Sequence, residues 1–140
     1  MAIHEHHTTR RVEFADTDMG GIVHFSRFFV FMETAEHELL RAVGTAVHSR
    51  RDGHLVGWPR LSATCEYLSP ARLGDELAIH VRVERKGTKS MTYRFEFRRG
   101  DEPIARGRTV AVCCVLDDPA GLRSIPIPTA IADQIEEAPR

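Results

Sequence analysis

The sequence predicts an α+β fold in which one long central helix is wrapped by a curled antiparallel sheet of five strands. Three observations carry that expectation. Phe25, Phe28, Met32, Ala35, Leu39 and Ala42 recur at spacings of three and four, the mark of a helix with an apolar face. Five segments alternate polar and apolar residues or run apolar between turn signals, as strands do. The turns joining the last four are short, which demands antiparallel neighbours. One strand, one helix and four further strands make a helix laid against a sheet.

Arg11-Val12-Glu13-Phe14 alternates and reads as the first strand. Residues 1–9 before it contain no apolar h-region of a signal peptide and read as a flexible, solvated tail. His4, His6 and His7 belong to that tail and are expected to hold no metal. Asp16-Thr17-Asp18-Met19-Gly20-Gly21 follows as a turn-rich loop whose glycines allow unusual backbone angles. The helix then runs from Ser26, a plausible N-cap, to Gly44 just past its end, about five turns. Phe29 and Val43 widen its apolar face beyond what a surface helix needs. Thr45 to Arg51 reads as a short helix ended by Gly53. Leu61, Ala63, Cys65 and Tyr67 alternate up to the break at Pro70. Leu77, Ile79, Val81 and Val83 follow the Gly74-Asp75 turn, and Met91, Tyr93, Phe95 and Phe97 follow Gly87. A last strand, Thr109 to Leu116, is apolar on both faces and so expected to be central. Residues 129–137 suggest a short terminal helix. Neither repeat nor linker divides the chain, so residues 1–140 read as one domain.

Composition narrows the functional classes. Hydrophobic residues make up 42% and charged residues 28%, enough for a core without metals or disulfides. The net charge of −1 creates no global field for nucleic acid or an anionic membrane, so neither is expected as a partner. No apolar run is long enough to span a bilayer. Cys65, Cys113 and Cys114 are odd in number and lack Cys-x-x-Cys spacing. Reduced core thiols in a cytoplasmic protein are expected, with Cys113 and Cys114 on opposite faces of a strand.

The densest polar constellation is Asp16 to His24, where a strand hands over to the main helix. Backbone N–H groups at a helix start lack internal partners and sit at the positive end of the dipole. They suit an oxyanion, and a carboxylate just upstream suits attack on a carbonyl or activation of water. The same residue types also shape turns, so the local pattern leaves both readings open.

Asp16-Thr17-Asp18-x-x-Gly21-Ile22-Val23-His24-Phe25, with the helix to Arg41, resembles the start of hotdog-fold thioesterases of the 4-hydroxybenzoyl-CoA thioesterase type. Tyr67 to Leu77 and Lys89-Ser90 resemble later stretches of the same family. The resemblance implies a hotdog fold, hydrolysis of acyl-CoA thioesters, and a homodimer often paired into a tetramer, with active sites at subunit interfaces. It implies that Asp18 is the catalytic carboxylate and that the Phe25 N–H polarises the thioester carbonyl, with Gly21 in the same backbone stretch. One branch of the family, acting on short acyl chains, carries histidine at the position of Phe25. This chain carries His24 one place earlier, where other members have an aromatic ring. His24 either orients water or the acyl group, or packs as a half-buried aromatic substitute.

Arg82, Arg85, Lys86 and Lys89 cluster about one turn, with Ser90 beside them, and form a candidate rim for the phosphates of coenzyme A; Arg60 and Arg72 are weaker candidates. Trp58 is a candidate wall of the acyl pocket. Glu33, Glu36 and His37 read as a solvated helix face, not a metal site. No metal and no cofactor are expected. Two rival readings keep the fold: a hydratase or dehydratase of acyl thioesters, and a non-catalytic acyl-thioester binding module.

Overall fold

A computed structural model describes residues 2–140. The main sheet has five antiparallel strands, in the order β1 (Glu5–Arg11), β5 (Glu76–Lys86), β6 (Ser90–Arg99), β7 (Glu102–Val112) and β4 (Arg60–Tyr67). A smaller sheet joins β2 (Ser49–Arg51), β3 (His54–Gly57), β8 (Cys114–Val115) and β9 (Arg123–Ser124). Helix α1 spans Arg27–Ala42 and a one-turn helix, α2, spans Thr129–Ala132.

Helix α1 buries Phe28, Phe31, Met32, Ala35, Leu39 and Leu40. Against them stand the inward residues of the sheet, including Leu77, Ile79, Val81, Phe95 and Phe97. The period-two and period-3.6 patterns thus meet in one core. Gly107 on β7 permits the closest approach, since a Cβ there would lie 2.2 Å from the Met32 sulfur. Val43 caps the helix and Gly44 follows at φ +81°, a left-handed stop that glycine adopts without strain.

The first strand lies earlier than expected. Arg11 is its last residue, Val12 is buried in the core, and Phe14 opens a 3-10 turn with its ring exposed. The segment expected to be a flexible tail is instead paired with β5 from Glu5↔Arg82 to Arg11↔Glu76. The amide of Ile3 also donates to the Gln134 carbonyl. The inner face of β1 is polar, which hid it from a hydropathy pattern. Helix α1 satisfies that face: the Thr8 hydroxyl donates to Glu38 at 3.0 Å, and the Arg10 guanidinium lies 4.8 Å from the centre of the Phe31 ring.

Residues 45–51 hold no helix. Ser49–Arg51 pairs with β3 across a tight turn in which Asp52 (φ 51°) and Gly53 (φ 79°) are both left-handed, the geometry that Asp-Gly favours in hairpins. The expected last strand divides. β7 ends at Val112, Cys113 turns toward the loop before β6, and Cys114 joins the small sheet opposite Gly57. All three thiols are free; Cys113 and Cys114 are both buried. The terminal helix stops at Ala132, short of the expected span. On the edge strand β4 the alternating residues Leu61 and Tyr67 are 66% and 47% exposed. Among the described residues no helix is long and apolar enough to cross a membrane.

Candidate active site

The loop between β1 and α1 is built around Asp16, which is fully buried. Its Oδ2 accepts from the Glu13 amide at 2.8 Å, closing the 3-10 turn. Its Oδ1 accepts from Arg27 Nε at 2.9 Å, tying the loop to the first residue of α1. Arg10 stands 3.6 Å from the same oxygen. The Asp16 carbonyl takes the His24 amide at 2.8 Å, and Thr17 pairs with Val23. Asp16 is therefore the anchor of the loop.

Asp18 sits at the tip that this anchor supports. Its amide donates to the Ile22 carbonyl and its carbonyl accepts from Gly21, each at 3.0 Å. Gly21, at φ +78°, turns the chain back. The exposed carboxylate keeps one oxygen on the Gly20 amide at 2.8 Å. The other oxygen has no partner within the chain among the described residues.

Asp18 lines an open groove of about 480 Å³ whose other walls are mostly apolar: Ile22, Val23, Phe25, Phe28, Tyr67 and the turn from Leu68 to Ala71. The Tyr67 hydroxyl donates to the Phe25 carbonyl at 2.9 Å, fixing the peptide just before the helix. The Phe25 N–H meets no acceptor within the chain among the described residues. Phe25 precedes the helix and is 62% exposed, so its ring belongs to the groove and not to the core stripe. Ser26 occupies the N-cap position but does not cap with its side chain. Instead its amide donates to His24 Nδ1 at 3.2 Å, and its oxygen lies 2.7 Å from the same nitrogen. An accepting Nδ1 leaves the ring hydrogen of a neutral His24 on Nε2. The half-buried imidazole stacks on Phe25 at 4.5 Å and does not line the groove.

Asp18 and Phe25 thus share one groove, while Gly21 and His24 lie in the same loop without lining it. The other candidates lie elsewhere. Trp58 is 4% exposed and packs in the core, away from the groove. Arg60 turns inward: its guanidinium pairs with Glu36 and donates to the Trp58 carbonyl. Lys86 is engaged, its Nζ donating to the carbonyls of Ala132 and Ile135 at 2.9 and 2.8 Å. Arg85 and Lys89 are exposed and Ser90 half-buried at the β5–β6 tip. That tip is remote from the groove of the same chain. Tyr67 aligns through Ala105 with Phe97, seven residues along β6 from Ser90, or about 23 Å of strand. Arg72 is exposed beside the groove turn, its amide donating to Asp75.

Glu36 is not on a solvated face. It is 1% exposed, and burial pushes its carboxyl up to about 7 although Arg60 opposes that rise. Its Oε1 and the Tyr93 hydroxyl are both buried without a partner among the described residues. Three contributors escaped the sequence reading: Arg27, Tyr67 as a donor, and Arg99. Arg99 holds the Pro70 carbonyl at 3.1 Å and Asp75 at 2.7 Å, fixing the far wall. Only Tyr67, last in its strand before Leu-Ser-Pro, carried a local signal.

The sequence matches the family profile of the thioesterase-like superfamily over residues 12–135. The chain belongs to that superfamily. Its relatives include a provisionally named esterase of Aquifex aeolicus, 34% identical over 100 residues, covering 71% of this chain and 77% of that protein. Acyl-CoA thioester hydrolase YbgC of Escherichia coli is 28% identical over 130 residues, covering 91% and 92%. The solved 4-hydroxybenzoyl-CoA thioesterase of Pseudomonas sp. strain CBS-3 superposes with a TM-score of 0.81 at 20% identity, covering 94% and 99%. At that identity the likeness speaks to the fold alone; the superfamily match bears out the family resemblance read from Asp16 to Phe25. The superfamily match encloses the whole groove, from Asp18 through Ala71.

Proposed function

We propose that this chain is an acyl-CoA thioesterase, converting a thioester and water into a carboxylic acid and a free thiol. The observation that carries the reading is the meeting of an exposed carboxylate, Asp18, and an unpartnered helix-start amide, Phe25 N–H, at one apolar groove. The acyl group lies among Ile22, Phe25, Phe28 and Tyr67, with its carbonyl oxygen toward the Phe25 N–H. Asp18 takes a proton from water as the oxygen attacks the carbonyl carbon, or attacks that carbon itself to give an anhydride that water then opens. Charge gathers on the carbonyl oxygen, where the fixed amide and the helix dipole stabilise it. The C–S bond breaks and the thiolate departs, taking up a proton. The E. coli relative's name, acyl-CoA thioester hydrolase, supports this reaction.

The reading includes a hotdog protomer of one domain, with α1 enclosed by the main sheet, acting in the cytoplasm as a homodimer. Edge strand β4 is the natural joint, with Leu61 and Tyr67 uncovered. Antiparallel pairing of two β4 strands sets the Arg60 end of one beside the Tyr67 end of the other. Because Ser90 lies at the Arg60 end, the dimer brings the partner's Arg85 and Lys89 toward this groove, where the phosphates of coenzyme A would need them. Release of free thiol from aryl and short-chain acyl-CoAs tests the reaction, and at least one class should be hydrolysed. Tight binding without thiol release would make the protein a binding module, and conversion of an enoyl-CoA without thiol release would make it a hydratase.

A further inference from the structure

The pairing of β1 with β5 places His7 directly opposite His80, and Glu5 on the same outward face two residues away. The two imidazoles stack at 4.0 Å and 15°. Both rings turn Nε2 toward one carboxylate oxygen: Glu5 Oε1 lies 2.6 Å from His80 and 3.4 Å from His7. The three ligand atoms fall within 4.8 Å of one another. Donors about 2.0–2.2 Å from a tetrahedral ion stand about 3.4 Å apart, so a small rotation of Glu5 and the exposed His7 suffices. His4 Nε2 lies 3.1 Å from the other Glu5 oxygen, holding the carboxylate from behind. The cluster shares no residue with the Asp18 groove; His7 and His80 line a separate cavity of about 360 Å³ with Glu96 and Arg98.

We propose that Glu5, His7 and His80 form a binding site for a divalent transition-metal ion such as zinc, with water completing the shell. Two imidazoles and one carboxylate are a donor set that zinc accepts, with a fourth position open. Burial, opposed by the hydrogen bond to Glu5, lowers the His80 pKa from its ordinary range. The ion takes the place of the proton on His80 Nε2 that faces Glu5, and the ring keeps its one proton in the Nδ1 tautomer. The metal cross-links edge strand β1 to its neighbour. Arg82, opposite Glu5 in register, opposes the cation and limits affinity.

The test titrates untagged protein with cobalt(II), read by its visible absorption, then displaces it with zinc. One ion per chain is expected, with a rise in melting temperature on zinc binding. His80→Ala and His7→Ala should each weaken binding about tenfold or more, the usual scale for a lost ligand or its support. His6→Ala, on the opposite face toward Glu38, should change it less than about twofold on the same scale. His7 is 70% exposed, so its variant reports even if His80→Ala fails to fold. Absence of a visible band in the wild type, or equal binding by His7→Ala, would overturn the site. An equal loss in His6→Ala would reduce it to a histidine-rich segment.

Discussion

Asp16 and Asp18 stand two residues apart in the same loop, and their surroundings separate them. Asp16 is buried on two arginines and a backbone amide, whereas Asp18 meets solvent with one oxygen free. The Asp-Thr-Asp-x-x-Gly pattern made the loop legible in the sequence, but which aspartate anchors depends on Arg27, eleven positions on. Glu36 was less legible still. Its partner Arg60 lies 24 positions away, and helical periodicity weighs hydropathy, so a charged residue on the inner face was assigned to solvent. Its raised carboxyl has a measurable consequence. An unfolded Glu36 ionises near 4.5, while the folded one holds its proton to about 7. Unfolding therefore releases a proton between those values, and this residue's contribution to stability falls as pH rises through that window. Glu36→Gln should remove that part of the slope, so that its melting temperature gains on the wild type from pH 5 to 8. A constant difference across that range would show that Glu36 is ionised throughout.

At the scale of elements, the long helix and the strands with apolar inner faces were written plainly in the sequence. β1 was not, because its inner face is polar and finds its partners on α1. The small sheet was not, because strands of two to four residues are too short to show a period. Its Asp52-Gly53 turn did carry a hairpin signal that the run from Thr45 to Arg51 obscured. The basic tip after β5 divides in the same way. Lys86 fastens the C-terminal segment, while Arg85 and Lys89 remain open to an anion. Lys86→Met should lower the melting temperature and leave KM for an acyl-CoA near normal. Arg85→Ala with Lys89→Ala should instead raise KM several-fold at unchanged kcat, since phosphates stay bound alike through the reaction. That rise should fade with added salt. Thioesters lacking the nucleotide are the control: an equal rise in their KM would show that neither residue meets phosphate.

For the molecule as a whole, the groove and the basic tip stand at opposite ends of one chain's sheet, and the proposed dimer is what would unite them. Sedimentation at micromolar concentration should give a dimer, and Leu61→Lys on edge strand β4 should shift it toward monomer with a parallel loss of thioester hydrolysis. A fully active monomer would dismiss the shared site. The central claim rests on Asp18 itself and is tested by kcat for thiol release in Asp18→Asn beside Asp16→Asn, with the melting temperature of each. Asparagine keeps the shape of the turn but can neither take a proton from water nor attack a carbonyl. The account predicts a fall of about a hundredfold or more for Asp18→Asn at nearly unchanged melting temperature. Asp16→Asn should lose roughly 2 kcal/mol of stability through its buried charged hydrogen bonds, and much less activity while folded. Near-normal turnover in Asp18→Asn, or equal losses in both variants that track stability, would contradict it.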